Sequence, residues 1–361
     1  MQDVNGDGWL DIYVSRSGPK ENQELLGNLY FENKGDGTFT ERSEEYGLDV
    51  KTTTTQSLFF DKDNDGDLDL YILNHPYNTA NSNEPTKSVQ EVIEMTKKGS
   101  PFSDVLLENN AGFFTDVTKE SGLNNHAFGL GIAASDLNND GFTDLYISND
   151  YMAPDFLYMN NGDGTFSDRS QEQLKHMSNY SMGNEISDFN NDGFLDILSV
   201  DMVSENHIRS KKNMGGMSTK KFWDVVSVGY HYQYMFNCLQ MNNGNGTFSE
   251  VAQMAGISKT DWSWAPIFAD FNNDGFKDLY ITNGYRRDTR DNDFINGHNP
   301  ENNEIESFRD VLELMPETKI ENYMFLNNGD LTFTKMNQEW NTDQLVNSNG
   351  AVYSDLDNDG D

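Results

Sequence analysis

One nine-residue pattern, D-x-[ND]-x-D-G-x-x-D followed at once by an apolar run, occurs five times in this chain and is begun a sixth time at its end. The copies start at Asp3, Asp61, Asp136, Asp188 and Asp270, with the sixth at Asp355, so the intervals are 58, 75, 52, 82 and 85 residues. A length of 361 residues would otherwise suggest two unrelated domains. A unit of roughly 50 residues carrying variable insertions points instead to an array of propeller-blade size.

The residues around each copy say what the unit is made of. After each loop comes LDIYVS, LDLYIL, TDLYIS, LDILSV or KDLYIT, β-branched and aromatic and too short for a helix, which predicts a strand, B. Further on, blocks such as LYFENKGDGTFTE and LYMNNGDGTFSD place an Asn/Gly/Asp turn between two alternating runs, the signature of a hairpin of strands C and D. Before the loop, stretches such as Gly129-Leu130-Gly131-Ile132-Ala133-Ala134 are small enough for a crowded innermost strand, A. Four antiparallel strands, radially repeated, make a β-propeller blade. The expected blades are 1–50, lacking its first strand, then 51–124, 125–176, 177–257, 258–342 and a truncated 343–361. Both ends fall inside blades, so closure of the ring is expected to need residues beyond them.

Because strands alternate in direction, A–B and C–D loops share one face of a blade array and B–C loops share the other. The long insertions, at about residues 74–104, 201–234 and 283–322, fall between B and C. Two of them carry helical patterns: Val89, Val92 and Ile93 ahead of Gly99, and Ile305, Phe308, Leu312 and Met315 ahead of Pro316.

The acidic loops have the donors of a hard-cation site. Side-chain oxygens at positions 1, 3 and 5 can converge when glycine at 6 permits a tight turn, position 7 offers its carbonyl, and position 9 a last carboxylate. The five sets are Asp3, Asn5, Asp7, Trp9, Asp11; Asp61, Asp63, Asp65, Asp67, Asp69; Asp136, Asn138, Asp140, Phe142, Asp144; Asp188, Asn190, Asp192, Phe194, Asp196; and Asp270, Asn272, Asp274, Phe276, Asp278. The truncated sixth begins Asp355, Asp357, Asp359, Asp361. Because only its carbonyl is used, position 7 is expected to vary freely. All-oxygen donors without His or Cys favour Ca²⁺ over zinc, and over Mg²⁺, which retains more water. An EF-hand is excluded, because position 12, its bidentate Glu, is here Val14, Ile72, Ile147, Ser199 or Ile281. About five Ca²⁺ are expected, in a structural role, pinning hairpins that would otherwise be loosened by their own charge.

Composition narrows the partners. Sixty Asp and Glu against 25 Lys and Arg give a formal charge of -35, which repels nucleic acid and anionic membrane surfaces. No apolar run is long enough to insert in a membrane, and the opening residues, MQDVNGDGWLDIYV, do not read as the basic and apolar stretches of a signal peptide. Aromatic residues at 12% argue for folded β structure over an acidic disordered tail. Cys238, the only cysteine, excludes a disulfide framework or a cysteine metal cluster and is expected to be a buried inert thiol. Calcium loops of extracellular type, with Kd of about 10⁻⁴ to 10⁻³ M, would stand empty in cytosol, so an extracytoplasmic setting (secreted, periplasmic or cell surface) is expected.

At these residues the sequence resembles the FG-GAP/VCBS repeat superfamily, whose best-known member is the integrin α propeller. Phe128-Gly129 with Gly131 and Ala133 before Asp136 resembles the FG-GAP signature. The strings NDYMAPDFLYMNNGDGTF, TDWSWAPIFADFNNDG and ITNGYRRD are similar to bacterial exported proteins that pair such repeats with a C-terminal ASPIC/UnbV-type domain, relatives of cartilage acidic protein. The resemblance implies an all-β propeller of four-stranded blades with calcium-binding A–B hairpins, extracytoplasmic binding or adhesion, and no shared catalytic set.

For the ligand, attention falls on the face opposite the calcium loops, where strand B ends at Arg16, Asn74, Asn149, Asp201 and Asn283. Asn149, Asp150, Tyr151, Trp262, Trp264, Asn283, Tyr285 and Arg286 could stack on and hydrogen-bond a glycan or a protein partner. The alternative is that these Asn and Asp cap strands and the tryptophans wedge between blades. A rival function is a calcium-dependent polysaccharide lyase-like enzyme drawing on His207, Arg209, Tyr230, His231, Tyr285 or Arg286. These residues form no motif of fixed spacing, so a binding module with no catalytic set is the expectation.

Overall fold

A computed structural model describes residues 1–17, 25–75, 103–150, 153–213, 219–227, 229–297 and 308–354. The chain forms two compact units, Met1–Gln173 and Leu174–Asp361. The first holds three antiparallel sheets. Blade 1 contributes Ile12–Val14, Leu29–Asn33 and Phe39–Glu41 as strands B, C and D, its A position reduced to the bridge between Gln2 and Asp11. Blade 2 is complete, with A Thr54–Phe60, B Asp69–Asn74, C Val105–Asn110 and D Phe113–Asp116. Blade 3 follows with Gly129–Ser135, Asp144–Asn149, Phe156–Asn160 and Phe166–Asp168. In both, the strand order is A-B-C-D.

The second unit repeats the design. Blade 4 is Gly183–Ser187, Asp196–Val200, Cys238–Asn242 and Phe248–Glu250, again in sequence order. Blade 5 is Asp261–Ala269, Asp278–Asn283, Tyr323–Asn327 and Phe333–Lys335, with the short strand Met202–Val203 added outside A as a fifth member.

Sequence explains the layering. Strand B lies mid-sheet with both faces covered, so every residue of Asp69–Asn74 and Asp144–Asn149 is buried, and it reads as a continuous apolar run. Between blades 2 and 3 the core is built from Tyr71, Leu73 and Leu106 on one side and Ile132, Leu145, Ile147 and Tyr158 on the other. Strand A is the sheet edge in blades 2, 3 and 4, and in blade 5 beyond the Met202–Val203 pairing, and it takes glycine where the neighbouring blade lies against it. A Cβ on Gly129 would fall 2.3 Å from Leu73, and one on Gly183 2.0 Å from the Trp264 carbonyl. Pro266 is tolerated in a strand A because an edge position leaves its missing N–H unneeded.

The structure adds helices that the sequence reading missed. Single turns Ser43–Tyr46, Ser170–Gln173 and Ala252–Ala255 follow strand D, the first and last closed by glycines in the left-handed region. The insertion at 201–234, for which no helix is predicted, contains His207–Asn213 and Thr219–Ser227. The helix expected near 305–315 is present as Phe308–Leu314, with Ile305 outside the described residues. The pattern at Val89–Ile93 also lies outside them.

Candidate metal centre and the opposite face

Each acidic loop needs two residues in the left-handed region, not one. Gly8, Gly66, Gly141, Gly193 and Gly275 at position 6 have φ from 87° to 92°. Position 4 is left-handed too, as Gly6 at 71° and Asn64, Asn139, Asn191 and Asn273 at 59° to 62°. Only Gly and Asn occupy position 4 because they reach that region at least cost.

These two turns aim the loop's amides inward. In the third loop the Asp136 carboxylate accepts from the N–H of Asp140 at 3.1 Å and of Gly141 at 2.8 Å. Asp140 N also donates to Asn138 Oδ1 at 2.9 Å, and Phe142 N to Asp140 Oδ1 at 2.9 Å. Asp3, Asp188 and Asp270 hold the same amides in their own loops. Positions 1, 3 and 5 are thereby oriented about one centre by backbone alone.

The second loop differs in charge. With Asp63 at position 3 no amide is available to donate, and the Asp61, Asp63 and Asp65 carboxylate oxygens lie within 4.8 Å of one another. Asp67 adds a fourth carboxyl there, its Oδ1 buried with no hydrogen-bond partner. Burial, then the charges of Asp65, Asp63 and Asp61, raise its pKa. Lys62, 2% exposed, offsets part of this charge through Asp63 at 2.8 Å and Glu108 at 2.7 Å. Burial alone would lower its pKa, but those hydrogen bonds hold the ammonium above the usual lysine value. An all-oxygen donor set with a clustered, under-compensated negative charge fits a hard divalent cation, with Asp61, Asp63, Asp65 and their equivalents as holders. Asp355, Asp357, Asp359 and Asp361 lie outside the described residues.

Position 9 has a further task. Asp144 Oδ2 accepts from Leu137 N at 2.9 Å inside its own loop, and Oδ1 from Asn160 N at 2.8 Å at the end of strand C. Asp11, Asp69 and Asp196 make the same pair of bonds. Burial pushes Asp69 up to about 6 and Asp144 and Asp196 up to about 7, against the pull of those amides. A carboxylate oxygen keeps a second lone pair, so the clamp and a metal bond are compatible.

The expected freedom at position 7 is corrected by the structure. Trp9, Phe142, Phe194 and Phe276 lie against the first glycine of their blade's C–D turn. A Cβ on Gly35, Gly162, Gly244 or Gly329 would come within 2.7, 2.8, 2.6 or 3.0 Å of those rings. Blade 2 has no such glycine, since Asn110 leads directly into Ala111 and Gly112, and there position 7 is Asp67. The Asn closing strand C completes the joint. Asn160 Oδ1 accepts from Gly162 N at 3.0 Å, while Nδ2 donates to the carbonyls of Thr143 and Lys62.

On the other side, strand B ends in a second repeated lock. The residue just before strand C accepts an amide at or just beyond the end of strand B in every blade: Asn28 from Arg16, Asp104 from Asn74, Asp155 from Asn149, Asn237 from Asp201 and Asn322 from Asn283, at 2.8 to 2.9 Å. An Asp or Asn immediately ahead of each strand C was the available sequence signal. Asn149 and Asn283, read from sequence as ligand contacts, are fully buried in these locks and so cannot reach a ligand. Trp262 and Tyr285 stack face to face at 4.1 Å and 6°, and Trp264 Nε1 donates to the Gly284 carbonyl at 2.7 Å. Arg286 remains exposed, paired with Glu317 at 3.2 Å. Asp150 is half-buried, its N–H on the Phe128 carbonyl, and Tyr151 lies outside the described residues. Of the groups a lyase would need, Arg209 is held by Asp261 and Asp288, and His231 Nε2 lies 3.1 Å from the Leu174 carbonyl.

Four-stranded blades, each with an acidic A–B hairpin, define a β-propeller repeat protein, and the chain belongs to the FG-GAP-like repeat family, which matches residues 3–72, 136–199 and 221–281. Among curated proteins it is similar to cartilage acidic protein 1 of Xenopus tropicalis, 26% identical over 239 residues, covering 61% of this chain and 34% of that protein. It is 27% identical over 324 residues to cartilage acidic protein 1 of Homo sapiens, covering 78% of this chain and 46% of that protein. The chain thus spans less than half the length of either relative. A solved structure concerned with recognition of non-reducing terminal N-acetylglucosamine by an Agrocybe aegerita lectin aligns at 15% identity with a TM-score of 0.38, over 86% of this chain and 60% of that one. That level does not establish a shared fold. Among the described residues no helix is long and apolar enough to cross a membrane.

Proposed function

We propose that this chain is a calcium-stabilised, extracytoplasmic binding module that meets a glycan or a protein through the side bearing its B–C insertions. The observation that carries the calcium reading is the convergence of Asp61, Asp63 and Asp65 within 4.8 Å, in a loop pattern repeated in five blades. The ion, when bound, would supply the positive charge that lets these carboxylates share one centre. The role is structural, because the same loops are clamped to strand C by position 9. Thermal unfolding in millimolar calcium and in chelator tests it. At calcium tenfold above Kd, one site stabilises by about 1.4 kcal/mol, so several should raise Tm by many degrees. Identical melting curves would sink the reading.

The partner surface is assigned to the insertion side because the calcium hairpins are short and locked, while the B–C segments differ in length and sequence. Arg286 and the Trp262–Tyr285 stack are its best-placed contacts in the second unit. Screening the calcium-loaded protein on glycan and surface-protein arrays, then repeating with Arg286→Ala, tests this. Binding that survives Arg286→Ala but is lost on altering the C–D turn at Asp163 would assign the partner to the calcium side.

A further inference from the structure

Cys238 opens strand C of blade 4 and Glu250 closes strand D. In the register Gln240 faces Glu250, so Cys238, two residues before Gln240, lies diagonally across from Glu250 on the same face of the sheet. A third group arrives from elsewhere. The Gln240 side chain donates to the His176 carbonyl at 2.7 Å, which holds that residue above the two strands, and its ring packs edge-on against Tyr234. One donor atom each from His176, Cys238 and Glu250 falls within a 4.8 Å span.

We propose that His176, Cys238 and Glu250 form a site for a thiophilic divalent cation of the zinc type, separate in chemistry from the acidic loops. A thiolate, an imidazole and a carboxylate are the mixed donor set of borderline metals, whereas calcium has no use for sulfur or nitrogen. The geometry agrees. At metal–nitrogen and metal–oxygen bonds near 2.1 Å, a tetrahedral edge is about 3.4 Å. His176 Nε2 and Glu250 Oε2 stand 3.5 Å apart. The thiol edges, which lie within 4.8 Å, then close by about 1.2 Å at most to reach the roughly 3.6 Å of a bonded tetrahedral edge.

The surroundings are those of a prepared ligand. Glu250 Oε1 accepts from Ala252 N at 2.7 Å and Leu239 N at 3.3 Å, so one oxygen is fixed by the backbone and Oε2 is left pointing at His176. Cys238 is fully buried, while the His176 side chain is 27% exposed, so an ion enters past the imidazole and keeps a solvent molecule as its fourth ligand. Binding displaces the thiol proton to solvent and is therefore favoured as pH rises. The single cysteine makes the site spectroscopically unique.

The experiment uses the full chain, stripped of metal and then held in excess calcium so that the acidic loops are filled. Titration with Co²⁺ should give one equivalent with a thiolate-to-cobalt charge-transfer band in the near ultraviolet, lost on adding Zn²⁺. Cys238→Ser should abolish the band, and His176→Ala, at a partly exposed position, should weaken Co²⁺ binding at least tenfold while the calcium-dependent Tm stays as in the parent. A titration with no charge-transfer band overturns the proposal. So does a band that survives in His176→Ala at unchanged affinity, even if Cys238→Ser fails to fold.

Discussion

Gly162 and Gly164 sit two residues apart in one C–D turn, both left-handed, at 70° and 84°. Only the first has a neighbour, since a Cβ there meets Phe142 at 2.8 Å while the second faces open space. Gly164→Ala should therefore cost only the left-handed strain, about 1–2 kcal/mol. Gly162→Ala should cost more, because the ring of Phe142 must also move, and Phe142→Ala should remove that excess. Denaturant unfolding of the two variants and the double variant measures it. A second residue-scale expectation concerns Asp104, buried at the strand B–C lock with Tyr71 and Asn125 on one oxygen and Asn74 N on the other. Burial pushes it up to about 6. The folded state thus binds its proton more tightly than the unfolded state, so this group's contribution is greatest when protonated and declines as pH rises through 6. Relative to Asp104→Asn, the parent should gain about 1 kcal/mol between pH 7 and pH 5.

At the scale of the hairpin, Asp140→Ala should lower the calcium stoichiometry by one and leave the other sites at their parental affinity, as isothermal titration would show. The acidic hairpin was the most legible element in the sequence, because its donors are spaced within nine residues and the pattern recurs. Strands B, C and D were legible for a related reason, their periodicity being local. What escaped was set by partners distant in sequence. Position 7 looked free because its partner, Gly162 or its equivalent, lies 20 to 53 residues on. Asn149 and Asn283 looked like surface residues because a strand end bounded by polar residues reads as solvent-facing; the locks at Asp155 and Asn322 that bury them become visible only once strand C is laid beside B. His176 and Cys238, sixty-two residues apart, carry no local signal at all. The helices of the 201–234 insertion were missed for different reasons, the second, Thr219–Ser227, being amphipathic but only nine residues long. Arg209 fastens the first of them to Asp261 and Asp288, and no amphipathic period advertises that.

For the molecule as a whole, the charge of -35 sets the terms of stability. Without metal the loops repel one another through solvent over distances that salt screens, the Debye length being about 30 Å at 0.01 M and about 8 Å at 0.15 M. Raising NaCl across that range should lift the Tm of the metal-free protein clearly more than that of the calcium-loaded protein. Equal shifts would mean the loops are not where the charge is felt.

The joint at the end of strand C has one more implication. Both halves of the ring-on-glycine contact lie within a single repeat, so a duplicated repeat arrives with that contact already made, and blade 2 shows both halves altered together. The tie to the neighbouring blade is of another sort: Asn160 reaches the carbonyl of Lys62, and Asn327 that of Phe189, groups that every residue possesses. At this joint a repeat demands nothing particular of the side chain next door, so the hydrogen bond survives when copies are inserted, lost or diverge, and the specific fit between blades is left to strand A, where Gly129 meets Leu73.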